Sequence, residues 1–163
     1  MPKRARCPYC DRLFSRDVLD DHIRRCRTRR RPAQRTTPRR RLLVVDGNNV
    51  AFFLSPNGRP RVSNLVLAHQ SLASAGFQLI FVVSSALVHK VGNPIALREF
   101  TASVRTITAP RGTDDDLKII RTAQEMNADI VSNDRFLNWI DRFTWLPDRI
   151  RKYRMTPAGL ILL

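Results

Sequence analysis

Leu42-Leu43-Val44-Val45-Asp46-Gly47-Asn48-Asn49-Val50 is the stretch from which the fold can be read. Four consecutive apolar residues, two of them β-branched, are followed at once by an aspartate, a glycine and two asparagines. A short, wholly apolar run closed by turn formers reads as a strand buried on both faces, as in a parallel sheet, with Asp46 at its C-terminal edge. In open α/β sheets that edge is where ligands and reactive groups collect.

Working outward, residues 55–60 are a loop by composition. Val62, Leu65, Val66, His69, Leu72 and Ala73 then recur at helical spacing, and Gly76 ends the helix. Residues 77–83 (FQLIFVV) read as a second buried strand and 84–94 as a loop that carries His89. Residues 95–104 read as a helix and 105–109 as a short strand. Residues 114–126 form a further helix, 129–132 a strand, and 135–143 a last helix. The tail, 150–155 and 159–163, reads as two closing strands. Strands alternating with helices predict an α/β doubly wound sheet of about five strands. Right-handed crossovers would bring the strand C-termini to one edge. His69 falls on an apolar stripe and is expected in the core, whereas His89 is free to meet a ligand.

Charge is distributed unevenly. The chain carries a net +15, but residues 1–41 hold 15 basic and 4 acidic side chains (net +11), and residues 42–163 hold 14 and 10 (net +4). A basic arm on a nearly balanced body points to a polyanionic partner, most simply nucleic acid. A membrane surface fits less well, because the arm lacks an apolar stripe. No run approaches the ~18 apolar residues of a membrane span, and the N-terminus is charged rather than signal-like. The expectation is a soluble, intracellular protein, cytoplasmic or nuclear, with no membrane association.

All three cysteines lie in the first 26 residues. Cys7, Cys10, His22 and Cys26 follow the spacing C-x2-C-x11-H-x3-C, which suits tetrahedral Zn²⁺. His22 and Cys26 would share one face of a short helix, with Val18, Leu19, Ile23 and Phe14 as a very small core. Such a unit cannot bury enough surface to fold unaided, so a metal would supply its stability. Four protein ligands make the site structural. The alternative is a chance pair of cysteines with a stray His and Cys. Residues 7–26 also resemble the C2HC zinc finger family, which binds RNA, DNA or protein. From Arg27 to Arg41 there are eight arginines, two prolines and three threonines. This stretch reads as a linker that neutralises phosphates, directs nuclear import or merely tethers. The expected domains are thus a finger at 1–28, an arginine-rich linker at 29–41 and an α/β domain at 42–163.

Asp46 has two readings, a turn cap and a ligand. Asp114, Asp115 and Asp116 open a helix, where acids are favoured, and Thr113 with Asp116 resembles a capping box. Asp116 also lies four residues before Ile120 and seven before Ala123, on the buried stripe. An inward acid there needs a partner, and a divalent cation is the natural one. Asp115 borders the stripe, Asp114 points away and caps the helix, and Asp134 sits where strand meets helix much as Asp46 does. Carboxylates converging on one edge repel unless a cation lies between them. Oxygen ligands suit Mg²⁺ or Mn²⁺, which can activate water for phosphodiester cleavage. No Ser-His-Asp or Cys-His arrangement competes.

Three motifs in order, Val44-Val45-Asp46-Gly47-Asn48-Asn49-Val50-Ala51, the Asp115-Asp116 pair and Ile130-Val131-Ser132-Asn133-Asp134, resemble the NYN domain of PIN-like nucleases, in particular the regnase ribonucleases. The resemblance implies a PIN-like fold and Mg²⁺-dependent RNA endonuclease activity. It also implies that Asp46, Asp115, Asp116 and Asp134 are the acidic residues and Asn49 a polar helper. Two positions depart from the pattern: Asn138 stands where the family often has Asp, and Ser84-Ser85-Ala86-Leu87 replaces basic and aromatic residues. The regnase finger is also CCCH and C-terminal. The leading expectation is a metal-dependent endoribonuclease, with Asp46, Asp116 and Asp134 holding Mg²⁺ or Mn²⁺ and with RNA as partner. The alternatives are a PIN-like RNA-binding protein that cuts weakly or not at all, and a DNA-directed nuclease.

Overall fold

The computed structural model describes residues 4–7, 13–29 and 42–163. The chain divides into two compact units, Met1–Arg39 and Arg40–Leu163. In the first, β1 (Arg4–Arg6) pairs antiparallel with β2 (Leu13–Ser15), with Ala5 opposite Phe14, and helix α1 (Arg16–Arg29) follows directly. Cys7 is buried, and the Phe14 ring stacks on His22 with centroids 3.9 Å apart. Leu19 and Ile23 are half-buried, but Val18, expected in this small core, is 52% exposed. Helix α1 continues through Arg29, one residue into the expected linker, whose remainder lies outside the described residues. So do Cys10 and the side chain of Cys26.

The second unit is built on β3 (Leu42–Asp46). It pairs in parallel with β4 (Gln78–Ser84) on one side and β6 (Asp129–Val131) on the other. With β5 (Thr106–Ala109) beyond β4 and β7 (Ile150–Arg151) beyond β6, the order is β5-β4-β3-β6-β7, parallel throughout. The continuous apolar runs are explained by alternation. Leu43, Val45, Phe81, Val83 and Val131 enter one core, under α2 (Gly47–Phe52), α3 (Val62–Ser74) and α5 (Pro94–Ser103). Val44, Ile80, Val82 and Ile130 enter a second core, with Ile119, Ile120 and Ala123 of α6 (Asp115–Glu125). A strand segment buried on both faces must be apolar throughout, which is the pattern of residues 42–45 in β3 and 79–83 in β4. His69 rests half-buried against Phe81 and Phe100.

Several elements differ from expectation. Residues 84–94 contain a short helix, α4 (Leu87–Lys90), so His89 is helical and exposed rather than in a loop. Helix α6 is capped by Asp114 as expected, its carboxylate accepting the Leu117 N–H at 3.0 Å, but Thr113 makes no capping box with Asp116: its hydroxyl donates to the Pro110 carbonyl. No helix spans 135–143: Phe136 adopts φ 50°, ψ 41°, and only a 3-10 turn at Leu137–Trp139 follows. Burial of the Phe136 ring in the second core, with its N–H donated to Asp134 Oδ1, outweighs the local helical pattern. The tail divides after α7 (Leu146–Arg149). Ile150 and Arg151 join the main sheet, where Asp129 receives both Arg149 (3.3 Å) and Arg151 (2.8 Å). Then β8 (Tyr153–Thr156) and β9 (Gly159–Leu162) form a separate hairpin, docked on α3 through the Leu160 N–H to Ser71 Oγ. No helix among the described residues is long and apolar enough to cross a membrane.

Gly47 sets how closely α2 approaches the sheet. A Cβ there would lie 2.5 Å from Val83 Cγ1 and 2.8 Å from the Val82 carbonyl oxygen. The latter is backbone and cannot move aside. Gly47→Ala should therefore destabilise the domain by about 1–3 kcal/mol, read as a lower urea midpoint at unchanged slope.

Candidate active site

Asp46 ends the central strand with its carboxylate buried, at 6% exposure. A buried carboxylate must be hydrogen-bonded, and both oxygens are. Oδ1 accepts the Asn49 N–H at 3.0 Å, which caps α2, and Oδ2 accepts the Ser132 hydroxyl at 2.8 Å. Ser132, fully buried beyond the end of β6, accepts the Asp134 N–H at 3.0 Å, and Asp134 Oδ1 accepts the Phe136 N–H at 2.7 Å. A second chain of bonds runs beside the first. Asn49 Oδ1 accepts the Asn133 N–H (3.0 Å) and the Tyr153 hydroxyl (2.7 Å). The Asn133 side chain in turn exchanges two bonds with the Tyr153 backbone. On the other flank, Asn48 accepts the Ser84 N–H and donates to Asp115 Oδ2 at 3.2 Å. Lys152 Nζ donates to the Asp134 carbonyl at 2.6 Å.

Asp46, Asp115, Asp116 and Asp134 thus gather at the C-terminal ends of β3 and β6 and the start of α6, within electrostatic reach of one another. Burial pushes Asp46 up to about 6, and the negative charges of Asp134 and Asp115 push the same way against the bonds from Asn49 and Ser132. Asp116 is also pushed up to about 6, by burial first and then by the carboxylates around it, Asp134 foremost. Asp115 is raised by burial and by Asp114, with Asn48 and Lys90 opposing. Tyr153 is raised by burial and by the charge of Asp46, so its hydroxyl stays a donor. Among the described residues, no three His, Cys, Asp or Glu side chains are placed so that together they could hold a metal ion. The donors nevertheless fit a hard divalent cation. All are oxygens, and a positive charge between them would offset the burial and the repulsion that hold Asp116 toward its neutral form.

Ser132, Asn48, Asn133, Lys152 and Tyr153 belong to this network and were not singled out from the sequence as site residues. Ser132 had a local signal, a polar residue closing an apolar strand just as Asp46 does. Tyr153 had none, because it reaches Asn49 across 104 residues.

A five-stranded parallel sheet with acids collected at one edge defines a PIN-like α/β domain. The chain belongs to the family of Zc3h12a-like ribonuclease NYN domains, whose model matches residues 39–158. Among solved structures, two of the nuclear protein-only RNase P 2 (PRORP2) of Arabidopsis thaliana are similar in fold. Each has a TM-score of 0.59 over 74% of this chain, at 18% and 20% identity. The match spans 29% of the length of either PRORP2 chain. No curated protein matches the chain.

The raised carboxylates make stability depend on pH. Between the ordinary 3.8 and about 6, the folded chain holds protons that the unfolded chain has released. Their contribution therefore falls as pH rises through that window and is flat above it. Urea midpoints of the metal-free protein should decline from pH 4 to pH 6.5, less steeply in Asp116→Asn. Added Mg²⁺ should recover more stability at pH 7 than at pH 4.5.

Proposed function

We propose that the chain is a divalent-cation-dependent endoribonuclease of the regnase type. Asp46, Asp116 and Asp134 would hold Mg²⁺ or Mn²⁺ at residues 42–163, the nuclease domain. The observation that carries the reading is the meeting of Asp46, Asp115, Asp116 and Asp134 at one sheet edge, with two of them raised to about 6. A bound Mg²⁺ or Mn²⁺ would supply an activated water and offset the charge that develops on the scissile phosphate. The chain's own part is orientation. Ser132 and the Asn49 N–H leave Asp46 a single carboxylate pose, and Asn49 ties the turn bearing Asp134 to the sheet. Asp115 accepts a bond from the Asn48 amide at the border of the cluster.

For residues 1–28 we propose a C2HC zinc finger, with Zn²⁺ held by Cys7, Cys10, His22 and Cys26. Its supports are the ligand spacing, the strand–strand–helix order, the burial of Cys7 and the packing of Phe14 on His22. The finger and the arginine-rich residues 29–41 would add grip on the RNA backbone. Cys26→Ser should lower bound zinc from about one ion per chain to none, measured by atomic absorption, and should weaken RNA binding.

A second reading, an RNA-binding protein that cuts little, is favoured by Asn138 and by the Ser84–Leu87 segment. Cleavage of labelled single-stranded RNA in Mg²⁺, Mn²⁺ or EDTA, beside a DNA oligomer, separates the two. Asp46→Asn should reduce RNA cleavage by about 100-fold or more with binding retained, and Ser132→Ala by about 10-fold, since it acts by positioning Asp46. RNA bound by the parent chain but left intact under every metal would reject the enzyme reading. Cleavage of the DNA oligomer as readily as the RNA would reject its RNA specificity.

A further inference from the structure

The turn after β6 carries a side chain that the acidic centre does not use. Asp116, Asp134, Arg135, Leu137 and Asn138 line a cleft of about 510 Å³, within the range of pockets that take a small organic ligand. The turn is fastened on both sides of Leu137. Before it, Asn133 is bonded to Asn49 and Tyr153, and Phe136 is buried with its N–H on Asp134 Oδ1. After it, the Trp139 N–H donates to the Phe136 carbonyl at 2.9 Å. Phe136 takes the left-handed backbone conformation, at φ 50°, that bulky residues rarely adopt. Leu137 is left 66% exposed between these fastenings, on the wall of a cleft that also holds two carboxylates. A large apolar side chain held in the open beside a polar centre offers a face for an apolar ligand surface.

We propose that Leu137 is a nucleobase platform: an unpaired base beside the scissile phosphate lodges in this cleft against Leu137. The inference rests on the ribonuclease reading and adds to it a residue that decides which nucleotide is held beside the cut. A base, rather than the backbone, suits this wall. It brings an apolar face for Leu137 and a hydrogen-bonding edge for the exposed Asn138 amide, which both donates and accepts. Asp116 and Asp134 on the same cleft disfavour a bare phosphate there, while exposed Arg135 at its lip suits the adjoining one. Leu137 thus acts on which nucleotide is held, and not on the bond-breaking step.

The test compares the full chain carrying Leu137, Leu137→Ala or Leu137→Phe. Binding to an oligo(U) host with a single A, C or G is read by fluorescence anisotropy in the Asp46→Asn background, and cleavage is read in the active background. Leu137→Ala should weaken binding about three- to tenfold and flatten the preference among the four nucleotides. Leu137→Phe, with a larger apolar face, should keep both. Because Leu137 is exposed, the melting temperature should stay that of the parent. Affinity and nucleotide preference within about twofold of the parent in Leu137→Ala overturn the proposal, and would leave Leu137 as a contact for something other than RNA. A parent that binds RNA but cuts none removes the nuclease reading, while the binding comparison still decides this one. A parent that binds none of the oligomers overturns both.

Discussion

The burial of one carboxylate, Asp46, at the end of the central strand is the constraint from which the rest of this domain follows. A charge at that depth is tolerated only with its hydrogen bonds made, so the chain must deliver an N–H and a hydroxyl to it. The N–H comes from Asn49, which requires the backbone to turn straight into α2, and that turn presses Gly47 against Val82 and Val83. The hydroxyl comes from Ser132, just past the end of the neighbouring strand, which ties the register of β6 to that of β3. Asn64, itself buried, donates to the Val50 and Phe53 carbonyls at the far end of α2 and so keeps that short helix in place.

From Asp46 the bonds spread outward and order segments with little regular structure of their own. Ser132 reaches the Asp134 N–H, Asp134 reaches Phe136, and Asn49 reaches Asn133 and Tyr153. The turn after β6 therefore owes its shape to the buried acid as much as to its own residues. This arrangement suits a site on which geometry matters, because a side chain held by packed and bonded neighbours has little freedom to misplace itself.

Burying acids, and then gathering them, has an electrostatic consequence. Asp46 and Asp116 are both raised to about 6, so the folded chain is strained near neutral pH in a way a bound cation would relieve. That is a common condition of functional sites, where local cost is accepted for chemistry. The same domain is nearly balanced in charge, while the excess positive charge is concentrated in residues 1–41.

The sequence by itself determined the sheet, its central strand, the helices 62–74 and 115–125 and the acids at the strand ends, because each of these is written in local periodicity and turn chemistry. The inward phase of Asp116 was legible for the same reason. Two kinds of feature were not legible. Where long-range burial competed with a local pattern, as at Phe136, the expected helix gave way to a left-handed turn. Where partners lie far apart in sequence, as with Asn49 and Tyr153 or Asp46 and Ser132, no window of residues could pair them. Only the tertiary structure decided those contacts, since parallel strands and a docked hairpin bring together groups that the chain separates by 86 and 104 positions.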